Sequence, residues 1–235
     1  MVEPLESPRS ISLILPVHNQ ADHIDGVVEG YLSVARRLRL EVDVVLVANA
    51  CVDGSTEVCR RLAERHRQVC TLEQAAGGWG RAVRTGLAGA RGDLLCYANS
   101  ARTSPEILAL ILSYARVYPE VVLKANRRIR DSIVRRAGSL IYNVECRALF
   151  NLPSWDVNGT PKLFPRSFRK LLELRSTGDL IDAEFMLTCQ RQRYPIVEVP
   201  LLTTTRLGGR STTNYRSAAR MYRGAVALRL REAAR

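Results

Sequence analysis

The sequence predicts an α/β domain with a mostly parallel sheet flanked by helices, and three observations lead there. Short apolar runs rich in β-branched residues alternate with longer amphipathic segments through the first hundred residues. The run Val44–Val47 is apolar without alternation, as a strand covered on both faces requires. Turn residues separate the segments at the spacing of strand–helix–strand crossovers.

Each element follows in order. Ile11–Val17, with Pro16 near its end, reads as the first strand. Ala21–Leu40 has helical spacing through Ile24, Val27, Val28, Tyr31, Ala35 and Leu38. After the strand at Val44–Val47, Asp53-Gly54-Ser55 makes a turn and N-cap opening a helix to about His66. Val69–Leu72 is a third strand, and Gly77-Gly78-Trp79-Gly80 a flexible loop before a helix through Leu87. Gly92-Asp93 closes that helix, and Leu94–Ala98 is a fourth strand. Pro105–Tyr118 and Arg130–Phe150 read as helices, and Trp155–Arg166 as a polar loop. Leu180–Arg191 is a further helix and Ile196–Thr203 a further strand. Arg206–Asn214 is a Gly/Ser/Thr-rich loop, and Tyr215–Arg235 a helix with arginines on one side and apolar residues on the other. With no linker and no repeat, 10–212 is expected to be one domain, after a flexible 1–9 and before an amphipathic tail at 213–235.

Composition narrows the function. The chain has 235 residues, 46% hydrophobic and 25% charged, which excludes a wholly disordered protein. No apolar run reaches the roughly 18–20 residues that span a bilayer, and Met1–Ser10 is not a secretory signal, so a cytoplasmic protein is expected. The net charge of +12 is uneven: residues 1–100 carry 11 basic and 12 acidic side chains, residues 101–235 carry 24 and 11. That asymmetry points to a local anionic partner. The six cysteines form no CxxC pair and the three histidines are scattered, so no zinc site is expected.

Ligands on parallel sheets bind beyond the carboxyl ends of the strands, here Pro16–Gln20, Ala48–Asp53 and Ala98–Arg102. The residues at those ends carry a resemblance. Ile14–Gln20 (ILPVHNQ) is similar to the opening IPVYNE of the family-two glycosyltransferases, and Ala48–Ser55 (ANACVDGS) stands in place of their DDGSTDGT. Gly78–Leu87 matches the GLGxAxxxGL of the dolichyl-phosphate mannosyltransferase, or polyprenyl-phosphate sugar synthase, branch, and Ala90–Asp93 its ARGD. Asp156–Phe164 looks like the DxxxGxKLF loop, and Asp182-Ala183-Glu184 and Ile196–Pro200 complete the set.

The resemblance implies a GT-A nucleotide-diphospho-sugar fold and inverting transfer of a hexose from a GDP- or UDP-linked donor to a phosphate-bearing or polyprenyl-phosphate acceptor. It places Pro16, His18, Gln20, Ala48, Asp53, Gly78, Gly80, Asn99 and Ser100 on the donor, with Trp79 beside it. Lys162, Arg206 and Arg210 fall on the phosphate or acceptor side, and Asp156 near the donor sugar or acceptor. Asp182 is the candidate general base for a hydroxyl acceptor, whereas a phosphate needs none. The family implies Mg²⁺ or Mn²⁺ on a DxD motif, but Ala98-Asn99-Ser100 stands there and both carboxylates are absent. Arg102, two positions on, is expected to stabilise the leaving diphosphate instead, making transfer metal-independent. The arginine-striped tail suggests peripheral membrane contact. Two other classes stay open: a degenerate relative that binds without turnover, and a basic nucleic-acid-binding module, which the 6% aromatic content does not favour.

Overall fold

The computed structural model describes residues 9–127, 133–201, 207–208, 222–226 and 229, the side chains of 133–141 excepted. The calls on Arg206 and Arg210 and on most of the 213–235 tail lie outside the described residues, as does most of 1–9.

Four strands form the parallel block: β1 (Ile11–Val17), β2 (Val42–Asn49), β3 (Val69–Gln74) and β4 (Leu94–Tyr97). Helices α1 (Ile24–Leu38), α2 (Ser55–Arg65) and α3 (Trp79–Gly89) make its crossovers. Then come α4 (Pro105–Val117), β5 (Val122–Arg127), α5 (Ile133–Phe150), β6 (Lys162–Pro165), a 3₁₀ turn at Arg169–Leu172, α6 (Ile181–Gln192) and β7 (Ile196–Leu201). The sheet order is β3-β2-β1-β4-β6-β5-β7, with β6 antiparallel to both neighbours and β5 parallel to β7.

Alternation along the buried strands divides the core between two faces. Leu13, Leu15, Val44 and Leu46 pack under α1, α2 and α4, while Ile14, Val45, Val47 and Tyr97 pack under α3, α5 and α6. Ser104 caps α4, its side-chain oxygen accepting from the Ile107 N–H at 3.4 Å, with Pro105 in the first turn.

Several boundaries correct the sequence reading. Two strands were not expected. β5 interrupts its apolar run with Lys124, and β6 lies inside the segment read as a polar loop, its Lys162 masking a buried strand. α1 starts at Ile24 rather than Ala21, because Asn19 is left-handed and a turn at Gln20–His23 precedes the helix. The N-cap position of α2 is Gly54; Asp53 folds the preceding turn by accepting from Ser55. The Gly77–Gly80 loop is a close-packed junction: a Cβ on Gly80 would lie 2.5 Å from the Ser176 carbonyl and 2.7 Å from that of Gly178.

Candidate active site

Because β6 runs antiparallel, its amino end shares an edge of the sheet with the carboxyl ends of β1, β2, β4, β5 and β7. That edge gathers His18–Gln20, Asn49, Asn99–Arg102, Asp156–Lys162 and Arg127.

On the β1–β2–β4 side the contacts form a relay. Ser100 is fully buried and donates to Gln20 Oε1 at 2.6 Å. The Gln20 N–H donates to Ser55 Oγ at 2.7 Å, and Ser55 donates to Asp53 Oδ1 at 2.5 Å. The Ala21 N–H reaches Asp53 Oδ2 at 3.2 Å. Burial tends to raise the Asp53 carboxyl, but the hydrogen bonds from Ser55 and Ala21 prevail and hold it below its ordinary value. His18 Nδ1 lies 2.7 Å from the Asn49 carbonyl, and Asn49 Oδ1 is buried without a partner. Pro16 and Ala48 are buried opposite neighbouring strands.

The turn after β4 is closed by Asn99, whose Oδ1 accepts from the Ala101 N–H at 3.1 Å and whose carbonyl accepts from the Arg102 and Thr103 N–H groups. Arg102 is half-buried on that turn. The Leu207 N–H donates to the Ala101 carbonyl at 2.8 Å, and Gly208 lies so close to His23 that a Cβ would meet the ring at 2.5 Å. Leu207 is thus tied to the residue before Arg102, and Gly208 packs on His23.

On the β6–β5–β7 side, four registered residues make one row: Tyr97 faces Lys162, Lys162 faces Lys124, and Lys124 faces Glu198. Both lysines are fully buried. Lys162 therefore is not a surface lysine; it pairs with Asp182 of α6. Asp182 also accepts from Tyr97 at 2.8 Å and from Trp79 Nε1 at 3.1 Å. Trp79 is thereby held in an edge-on contact with Tyr97, rings 6.3 Å apart. Lys124 lies 3.2 Å from Glu198 and donates to the Trp155 and Asp156 carbonyls; burial pulls it down to about 8 against those carboxylates. Arg127 grips Asp156 through Nε and Nη2, each at 2.7 Å. Glu184 accepts from the Arg175 and Ser176 N–H groups at 2.9 and 2.7 Å.

Sequence reasoning missed Lys124, Arg127, Tyr97 and Glu198. The signal was present: a lone charge inside a β-branched run, as in VVLKAN and IVEVP, implies a buried partner. The donor-side glycines Gly78 and Gly80 face the Ser176–Gly178 backbone, which occupies the space before them.

The profile of glycosyl transferase family 2 matches residues 12–171. The chain belongs to that family. Undecaprenyl-phosphate 4-deoxy-4-formamido-L-arabinose transferase of Photorhabdus laumondii is 26% identical over 143 residues, 59% of this chain and 43% of that protein. The chain thus spans under half the length of such curated relatives. Among solved structures, mannosyl-3-phosphoglycerate synthase from Rubrobacter xylanophilus superposes with a TM-score of 0.74 at 20% identity, covering 96% of this chain and 75% of that one. Glucosyl-3-phosphoglycerate synthase from Mycobacterium tuberculosis, in complex with Mn²⁺, UDP-glucose and phosphoglyceric acid, gives 0.72 at 18%, covering 94% and 79%. The fold is the GT-A fold of family 2.

The metal of that complex finds no counterpart in the residues here. Ala98 offers no ligand, Asn99 and Ser100 offer only neutral oxygens, and no three His, Cys, Asp or Glu side chains among the described residues converge to hold a metal ion. A hard divalent cation needs charged oxygen donors, so this family 2 site does not fit one.

Proposed function

We propose that the chain transfers a hexose from a nucleotide-diphospho-sugar to a phosphate oxygen, with inversion and without a metal ion. One observation carries the reading: the candidate carboxylates Asp182, Asp156, Glu184 and Asp53 are each committed to fixed donors. Asp182 holds Lys162, Tyr97 and Trp79; Asp156 holds Arg127; Glu184 holds two backbone N–H groups; Asp53 holds Ser55 and Ala21. No general base is thereby released for a hydroxyl, and no carboxylate for a covalent intermediate. An acceptor that is already anionic needs neither.

In this reading the phosphate oxygen attacks the anomeric carbon as the bond to the donor diphosphate breaks on the opposite face. The electron pair leaves with the diphosphate, and the Arg102 guanidinium stabilises that charge. His18, Asn49 and the β1 and β2 ends hold the nucleotide. The names of the curated relatives support a polyprenyl-phosphate acceptor. No helix among the described residues is long and apolar enough to cross a membrane.

The test supplies radiolabelled UDP- and GDP-hexoses with a polyprenyl phosphate in detergent or with 3-phosphoglycerate, in EDTA. Label on the lipid phosphate is expected. Transfer confined to the phosphoglycerate hydroxyl, or activity lost to chelation and restored by Mn²⁺, overturns the reading.

A further inference from the structure

Gln20 and Ser100 lie 80 residues apart, yet their side chains meet at 2.6 Å in a buried position between the ends of β1 and β4. Both are neutral. The hydroxyl of Ser100 donates to the Gln20 Oε1, and the Pro16 carbonyl lies 3.5 Å from the same hydroxyl. We infer that this pair is a neutral clasp standing where a cation would otherwise be required, and that these two residues make the site metal-independent. The inference rests on the proposed nucleotide-sugar reading for its ligand.

The argument is electrostatic. Two acidic side chains facing each other at hydrogen-bond distance in a buried position repel strongly, and a shared proton, a neighbouring basic side chain or a bound cation is needed to relieve them. An amide carbonyl and a hydroxyl need no third party. The relay behind the clasp, through the Gln20 N–H to Ser55 and Asp53, ties the β1 end to the start of α2 and fixes Gln20 from its backbone. Ser100 is in turn held one residue before Ala101, and Arg102 follows on the same closed turn. Gln20 is therefore a positioning residue: it sets the β4 turn that carries the guanidinium.

Substituting both partners by acids should reinstate the demand for a cation. The experiment compares wild type with Gln20→Glu/Ser100→Asp, measuring UDP and GDP affinity by calorimetry in EDTA and in MnCl₂. Wild-type affinity should agree within about twofold between the two conditions, while the double variant should bind at least about tenfold tighter in Mn²⁺. A wild-type affinity that falls tenfold on chelation, or a folded double variant indifferent to Mn²⁺, overturns the inference. Should the double variant fail to fold, Ser100→Asp alone is read the same way. If neither nucleotide binds under any condition, the glycosyl-transfer reading fails; the clasp is then judged by titrating the chain alone with MnCl₂. Bound ion on the variant only supports it, and bound ion on wild type sinks it.

Discussion

Lys162 shows how much a single buried charge decides. Its ammonium is fully buried, and burial pulls its pKa below the ordinary value while Asp182 pushes it back up. Removing one partner strands the other. Lys162→Met should therefore cost about 3–5 kcal/mol in urea denaturation. Lys162→Met/Asp182→Leu should recover part of that loss, giving a coupling energy of about 1–3 kcal/mol. Additive losses would mean that the two side chains do not act as a pair. Asp182 was legible from its motif, yet its partner Lys162 read as a phosphate or acceptor contact. No local signal tells which strand a lysine will face once β6 inserts beside β4. Arg127 escaped for a similar reason: its role appears only when the β5 end and the Asp156 turn are brought together in space.

Among elements, the parallel half was readable because each strand is a continuous apolar run and each crossover an amphipathic helix. β6 was not readable, since a four-residue strand bearing Lys162 carries too little pattern to separate from a turn, whereas the start of β5 carried a β-branched signal that went unread because Lys124 interrupts it. The α3 entrance gives a sharper case. Its glycines read as a flexible loop on the donor side, whereas they admit the backbone of 176–178, with the Arg81 N–H bonded to the Thr177 carbonyl at 2.9 Å. Gly80→Ala forces that backbone away and should cost about 1–3 kcal/mol, with faster tryptic cleavage after Arg175. Gly178→Ala is the control, because a Cβ there meets nothing within 4 Å. Equal protease resistance in both variants would show that the junction tolerates the shift.

At the scale of the whole molecule, stability should fall in alkali. Burial pushes the thiols of Cys59 and Cys189 up to about 12 and that of Cys146 up to about 11, and raises Cys96 further. Their unfolded values lie near 8.5–9, so above that pH the unfolded chain releases protons that the folded chain keeps. Each thiol then withdraws about 1.4 kcal/mol of stability per pH unit. Lys124 acts oppositely: its folded value of about 8 lies below the unfolded 10.5, so its contribution rises with pH between them. Lys162, also pulled down by burial, acts with Lys124, and four thiols outweigh the two lysines. The urea midpoint, measured under reducing conditions, should drop steadily from pH 8.5 to 10, and a flat or rising profile would contradict the burial of these cysteines.

The row beneath the site has a consequence for how the protein meets its ligand at a distance. Lys124, Lys162 and Arg127 are matched by Glu198, Asp182 and Asp156, three charges against three, all interior or nearly so. Seen from a Debye length away, about 8 Å in physiological salt, that network is close to neutral. The long-range attraction that draws an anionic molecule out of bulk solution therefore comes from the remaining arginines of the second half, while the interior charges act only on what has already arrived. On the proposed reading, ionic strength governs the encounter and the buried row the fit.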